Sequence, residues 1–364
     1  MPSRPGANLL SMIALGAISS IGTAHAQEGA PLTDPPPQLT PDRVYALDIA
    51  MESILQEFAI PGLAIGIVED GEPVYIRGFG VRDKKTDEPV NAHTLFHVAS
   101  ITKSFTATAI MQLAERDQLG LEETMADSSS TVAQLLTRQD AAFNALGAMI
   151  ESTTQQKYLH YMHSKILRPA GLMESTFEVP IVNSNVAWPH VGRVFVRRAT
   201  RYPRDEASLP STGLSASIAD ITRWAALHVS RDPALLERDS YEALIRHRRD
   251  GERADTAVAL GWRLERRDDD WLPHHAVKAR GFSALLTLYP KQQRAIVILS
   301  NGETTPSKEI RRVIESVLAG ESFLAPKPSL LLRSDVQWAL GALVAMSLLL
   351  FAVSVHYRRR RQPD

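Results

Sequence analysis

The chain has 364 residues, 40 Lys and Arg against 41 Asp and Glu, 44% hydrophobic residues and no cysteine. Such length and balance fit one large or two ordinary folded domains and exclude wholesale disorder, and a net charge of -1 gives no electrostatic case for a nucleic-acid partner. Without cysteine, a disulfide framework, zinc ribbon, iron–sulfur cluster or thiol nucleophile is excluded.

In chain order, Arg4, an apolar stretch from Leu9 to Ile21 and the small-x-small sequence Ala24-His25-Ala26 read as a secretory signal over residues 1–26. An uncleaved anchor helix is the competing reading, but the run is shorter than the ~20 residues a span needs. Pro31, Pro35, Pro36, Pro37 and Pro41 mark residues 27–41 as an extended linker. Val44, Leu47, Met51, Leu55 and Phe58 then recur at helical spacing, with Asp42 as N-cap and Pro61 as the stop. Leu63 to Val68 and Val74 to Phe79 predict two strands joined through Asp70-Gly71.

A helical region follows from Ser100 to about Ala170, broken at Gly120 and Pro169. Ser217 and Asp220 form a Ser-x-x-Asp capping signal for a helix carrying Ile221 and Trp224. Trp262 to Arg266, Phe282 to Tyr289 and Ala295 to Leu299 predict strands, and Thr305 and Pro306 suit the N-cap and N1 of a last helix that Gly320 stops. Strands at both ends with helices between them predict an α+β domain over residues 42–320, its antiparallel sheet drawn from N- and C-terminal segments and a helical subdomain inserted. A polar linker over 321–335 leads to residues 336–356, whose charge-free run from Val336 to Val355 predicts a transmembrane helix. Trp338 and Tyr357 suit the interfacial belt, and Arg358 to Arg361 make the tail, residues 357–364, a cytoplasmic stop-transfer cluster. The expected location is therefore the bacterial plasma membrane, single-pass, with the globular domain extracytoplasmic in the periplasm.

The sharpest chemical feature is Ser100-Ile101-Thr102-Lys103, with the serine opening a helix and the lysine one turn along on the same face. Serine needs a neighbouring base to become a nucleophile. From Ser104 to Ala114 there is no charge, so the helix is expected to be buried. Burial and the helix's positive end both disfavour an ammonium, which would leave Lys103 as a neutral amine. The same spacing with threonine, at Thr154 to Lys157 and Thr305 to Lys308, is assigned nothing. No metal site is expected: His93 and His97 stand four apart without a His-Glu-x-x-His pattern, and no cofactor is implied. His160 and His163 share a helix with Tyr158, Tyr161 and Met162, read as a mixed surface and core face. The arginines between positions 193 and 204 and between 246 and 253 are read as a solvated surface rather than a patch for anionic lipid or cell-wall polymer, because acidic residues are interspersed.

The segment from Thr94 to Leu113 resembles the first motif of the serine β-lactamase and penicillin-binding-protein superfamily, specifically its class C-like β-lactamase-related hydrolases. Ile166 to Leu172, Gly213 to Asp220, Gly281-Phe282-Ser283 and Val297 to Asn301 are similar to further landmarks of that family, in its order. The resemblance implies a β-lactamase/transpeptidase-like fold, with Ser100 as acylated nucleophile and Lys103 as its proton acceptor. The oxyanion would be held by the Ser100 N–H and one from the strand near Lys278.

The family's second motif, Tyr-x-Asn, is degraded. Thr131 to Arg138 resembles the helix before it and Ala142 to Gly147 the helix after it, with only Gln139, Asp140 and Ala141 between. Arg138 falls where the Tyr would stand and Asp140 where the Asn would, and arginine cannot act as a base. The third motif, Lys-Thr-Gly or His-x-Gly, falls at His275-Ala276-Val277, where a β-branched side chain replaces the glycine that admits a substrate backbone. Asp140 and His275 are assigned to substrate binding, a polar strand residue being the plain reading of His275. Two functions follow. One is a membrane-anchored extracytoplasmic serine hydrolase acting on an amide, ester or lactam, of β-lactamase, D-alanyl peptidase or esterase type, with a small-molecule or peptidoglycan-like substrate. The other is a degenerate, non-catalytic member that binds cell-wall material or a membrane partner.

Overall fold

The computed structural model describes residues 39–124, 129–138, 140–179, 184–192, 196–199, 202, 208–321 and 340–352. The chain opens with α1 (Pro41–Glu57), then β1 (Gly62–Glu69) and β2 (Glu72–Asp83), followed by the two-residue strands β3 (Glu88–Pro89) and β4 (Phe96–His97). A helical block comes next: α2 (Thr102–Glu115), α3 (Val132–Leu136), α4 (Asp140–Thr154) and α5 (Tyr158–Tyr161). Short strands β5 (His190–Val191) and β6 (Arg197–Arg198), α6 (Leu209–Thr212), β7 (Ser215–Ala216), α7 (Ile218–Ser230) and α8 (Arg238–Ile245) lead to the C-terminal strands. These are β8 (Arg249–Asp250), β9 (Thr256–Val258), β10 (Arg263–Arg267), β11 (Asp270–Ala279), β12 (Phe282–Tyr289) and β13 (Arg294–Ser300), closed by α9 (Ser307–Ala319).

Nine strands form one antiparallel sheet in the order β3-β2-β1-β13-β12-β11-β10-β9-β8. The N-terminal hairpin therefore docks on the last strand, with Leu63 opposite Ser300 and Val68 opposite Ala295. The strand β1 is apolar on both faces, and its two faces feed two cores. Leu63, Ile65 and Ile67 pack with α1 and α9, while Ala64 and Val68 pack with α7 and the helical block. Gly66 permits that second contact: a Cβ there would fall 1.8 Å from Thr222 Oγ1 on α7.

The predicted α+β architecture is present, but the C-terminal transmembrane helix is corrected. Among the described residues no helix is long and apolar enough to cross a membrane. The membrane partner expected through that helix is left without a spanning element among the described residues. The signal at 1–26, the tail at 357–364, and nearly all of the linkers at 27–41 and 321–335 lie outside the described residues.

Two helix starts also move. α1 begins at Pro41 with Thr40, not Asp42, at the N-cap. α9 begins at Ser307, because the Thr305 hydroxyl is engaged with Ser300 Oγ at 2.7 Å and Gly302 O at 2.9 Å instead of capping. The arginine-rich stretch is not all solvated surface: Arg198 donates to the buried Asp83 carboxylate at 2.9 Å and lies 3.5 Å above the Trp188 ring.

Candidate active site

Ser100 lies in a tight turn, Ala99–Ile101, that runs directly into α2. Thr102 Oγ1 donates to Ala99 O at 2.6 Å and accepts from Leu214 N at 3.2 Å, while Val98 N donates to Leu214 O at 3.1 Å. The β4–β7 pair sets His97 opposite Ser215, so the Gly213–Asp220 stretch frames the serine from one side. One turn deeper, Trp224 Nε1 donates to Ser104 Oγ at 3.1 Å, and its ring stacks on Phe105 at 3.8 Å between centroids. Ala99 has φ of 45°, a left-handed backbone that a non-glycine residue holds only when its surroundings impose it. This bend presents Ser100 at the start of the helix, where backbone N–H groups lack intrahelical acceptors.

α2 is buried from Thr102 to Leu113, as its lack of charge predicts. The Lys103 side chain is only 9% exposed, and its Nζ stands 2.5 Å from Asp140 Oδ1 and 5.5 Å from the centre of the Phe143 ring. Asp140 is the first residue of α4 and its side chain is more than half exposed. The neutral-amine expectation rested on Lys103 standing alone in an apolar wall. The structure supplies a carboxylate beside it instead.

His275 comes to the same place from β11 and is buried, with Nε2 3.0 Å from Gly261 O. A carbonyl oxygen only accepts, so Nε2 carries the ring proton and Nδ1 keeps a lone pair. Burial, followed by the charge of Lys103, holds the imidazole well below its ordinary range, so it is neutral at physiological pH. Gly261 has φ of +81°, and a Cβ there would meet Ala107 Cβ at 2.3 Å. Its N–H donates to Leu136 O at 2.9 Å, so this one residue ties α2, the end of α3 and His275 together.

Ser100 borders two cavities. The first, about 370 Å³, also has His97, Asp140, Tyr202, Val277 and Lys278 in its wall; the second, about 360 Å³, has Lys103, Arg138, Phe143, Trp262 and His275. The strand β10 pairs with β11 only as far as His274, so among the described strands the β11 edge beyond it, toward Ala279, is bare on that side. Val277 lies in the first cavity, as its place in the degraded third motif leads one to expect. All four predicted site residues, Ser100, Lys103, Asp140 and His275, are thus brought together.

Neither Tyr158 nor Tyr161 supplies the missing phenol, since both are buried away from the two cavities and Tyr158 Oη lies 2.8 Å from Thr106 Oγ1. Sequence reasoning passed over Tyr202, whose Oη lies 3.2 Å from Ser215 Oγ. Burial, followed by the charge of Arg280, holds His97 down at about 4. The second-motif junction is as short as read: α3 ends at Leu136 and α4 starts at Asp140.

The Beta-lactamase family model matches residues 47–139 and 137–319. Its two pieces meet at that α3–α4 junction. Protein flp of Staphylococcus aureus (strain N315) is 24% identical over 329 residues, covering 72% of this chain and 64% of flp, so the chain spans less than two thirds of that relative's length. The solved penicillin-binding protein homologue from Pyrococcus abyssi, an octamer, superposes with a TM-score of 0.67 at 20% identity, covering 77% of this chain and 78% of that one. The D-alanine carboxypeptidase AmpC from Burkholderia cenocepacia superposes with a TM-score of 0.66 at 19% identity, covering 77% of this chain and 99% of that one. These two likenesses are of fold.

Proposed function

Because the chain belongs to the Beta-lactamase family, we propose that it is a serine hydrolase that forms an acyl-enzyme on Ser100 with a small-molecule or peptidoglycan-like amide, ester or lactam. The observation that carries this reading is the position of Ser100, at a helix start on the border of two cavities, with Lys103 and His275 in the wall of one of them. In the acylation step Ser100 Oγ bonds to the substrate carbonyl carbon and its proton passes to Nδ1 of the neutral His275. The tetrahedral oxyanion is met by the Ser100 N–H, by an N–H of the bare β11 edge near Lys278 and by the positive field of Lys103. Collapse expels the leaving group, which takes the proton from His275, and water then releases the acyl group by the reverse sequence. The Ala24-His25-Ala26 pattern supports action outside the cytoplasm.

A second reading, a non-catalytic member that binds cell-wall material, is favoured by the Lys103–Asp140 pair, which engages the lysine with a carboxylate, and by Val277, which puts a β-branched side chain in the first cavity. The test is to incubate the purified chain with a fluorophosphonate probe and with a fluorescent penicillin. The hydrolase reading expects an adduct mapped to Ser100, absent in Ser100→Ala and formed about 100-fold more slowly in His275→Gln, the scale of general-base catalysis. No Ser100-dependent adduct with either probe would leave the second reading standing.

A further inference from the structure

We infer that Trp262 is a positioning residue for the reaction: it holds the His275 imidazole in the orientation in which Nδ1 can take the Ser100 proton. The inference deepens the serine-hydrolase reading and rests on it for the role of His275 as base.

Trp262 closes a four-residue turn, Ala259–Trp262, that joins β9 to β10. Turns lie at the surface because their backbone polar groups need partners that water supplies, yet all four residues of this one are buried. Its polar groups find partners inside the protein. Ala259 N donates to Trp262 O at 2.9 Å, Leu260 N to Leu244 O of α8 at 3.1 Å and Gly261 N to Leu136 O of α3 at 2.9 Å, while Gly261 O faces His275 Nε2 at 3.0 Å. β10 pairs with β11 only as far as His274, so among the described residues this turn, not a strand, stands beside His275.

One hydrogen bond fixes one corner of an imidazole and leaves its plane free to rock. The Trp262 ring limits that motion, lying 5.1 Å from the His275 ring between centroids at an angle of 44°. Behind the indole stands His228 at 5.4 Å, itself against Trp224 at 4.6 Å and Tyr241 at 5.3 Å. Trp224 stacks on Phe105 of α2, the helix that Ser100 leads into, so nucleophile and base are referred to one packed cluster. Packing alone would not select tryptophan here. Its Nε1–H is buried with no acceptor among the described residues, a cost that phenylalanine or leucine would avoid. What the indole supplies is a broad rigid plane, and a misplacement of about 1 Å at a reacting group costs on the order of 100-fold in rate.

The test is the rate of Ser100 labelling by a fluorophosphonate probe on the full chain, with Trp262→Leu and Trp262→Phe each made in the parent and Trp262→Leu also in His275→Gln. Trp262→Leu is expected to slow the parent about tenfold but the His275→Gln chain less than about twofold, and Trp262→Phe, which keeps a flat ring, to retain roughly a third of the parent rate or more. A residue that only stabilises the fold would slow both backgrounds alike and would not be rescued by the flat ring.

Equal slowing in both backgrounds, or none in Trp262→Leu, overturns the inference, while a His275-dependent adduct on Ser100 keeps the hydrolase reading. An adduct that forms as fast in His275→Gln as in the parent overturns the inference together with the role of His275 as base, and no adduct at all removes the hydrolase reading as well. Should Trp262→Leu melt below the assay temperature, Trp262→Met, which fills more of the space without a ring, replaces it in both backgrounds under the same criteria.

Discussion

Lys103 Nζ and Asp140 Oδ1 stand 2.5 Å apart, the amine almost wholly buried and the carboxylate more than half in solvent. The buried amine is therefore held by a group that the surrounding water can reach, and the residue that aligns with the family's proton acceptor is engaged by a carboxylate.

Replacing Asp140 by Asn keeps an oxygen near the amine but removes the counter-charge. We expect Ser100 labelling to accelerate by about tenfold, as the Lys103 amine is released from its carboxylate partner and becomes free to turn toward the serine. Labelling rates of parent and variant between pH 6 and 10 check this. A loss of rate would mean that Asp140 serves to hold the lysine in position.

Val277→Gly should open the first cavity to a substrate backbone along the bare β11 edge. Turnover of a D-alanyl-D-alanine peptide is expected to rise relative to that of a small acetate ester, at a stability cost of about 0.5–1 kcal/mol for a glycine within a strand. Paired kinetics and melting measure both, and an unchanged ratio would show that Val277 does not obstruct the cleft.

Acid should weaken the fold in two stages. Burial holds His228 down at about 3, and His97 and His274 at about 4, so each is neutral in the native state while the unfolded chain titrates near ~6.5. Between those values the unfolded state binds the extra protons, so stability is full above ~6.5 and is lost as pH falls toward 4. Glu265 follows: burial pushes its carboxyl up, but the Arg311 hydrogen bond and charge prevail and hold it at about 2, so its contribution is lost from about 4.5 down to 2. His228 sits among the rings of Trp224, Tyr241 and Trp262, with Nε2 unpartnered. His228→Phe is therefore expected to flatten the first stage, read as melting temperature against pH. An undiminished slope would assign the acid sensitivity elsewhere.

What could be read along the chain was what local chemistry determines. The apolar run from Leu63 to Val68 announced a strand, though not that both its faces are buried, and Ser217 does cap Asp220 N, at 3.1 Å. The Ser100–Lys103 spacing and the missing second-motif segment were visible because each lies within a short stretch. The Asp140 carboxylate was visible as a residue but not as the partner of Lys103, since only the packing of α4 on α2 brings them together. Arg198 looked solvated for the same reason: its partner Asp83 lies far away in sequence, in a different strand. Gly261 gave no signal at all, because a lone glycine does not disclose that three elements converge on its backbone.

The pairing of β1 with β13 has a consequence for biosynthesis. The middle of the sheet is completed by the last strand to leave the ribosome, while its neighbour, β1, emerges among the earliest segments and waits with both apolar faces uncovered. Long-range closure of this kind slows folding and exposes intermediates to aggregation. A nascent or C-terminally shortened chain thus displays a sticky ribbon, the kind of surface that holdase chaperones grip and proteases clear.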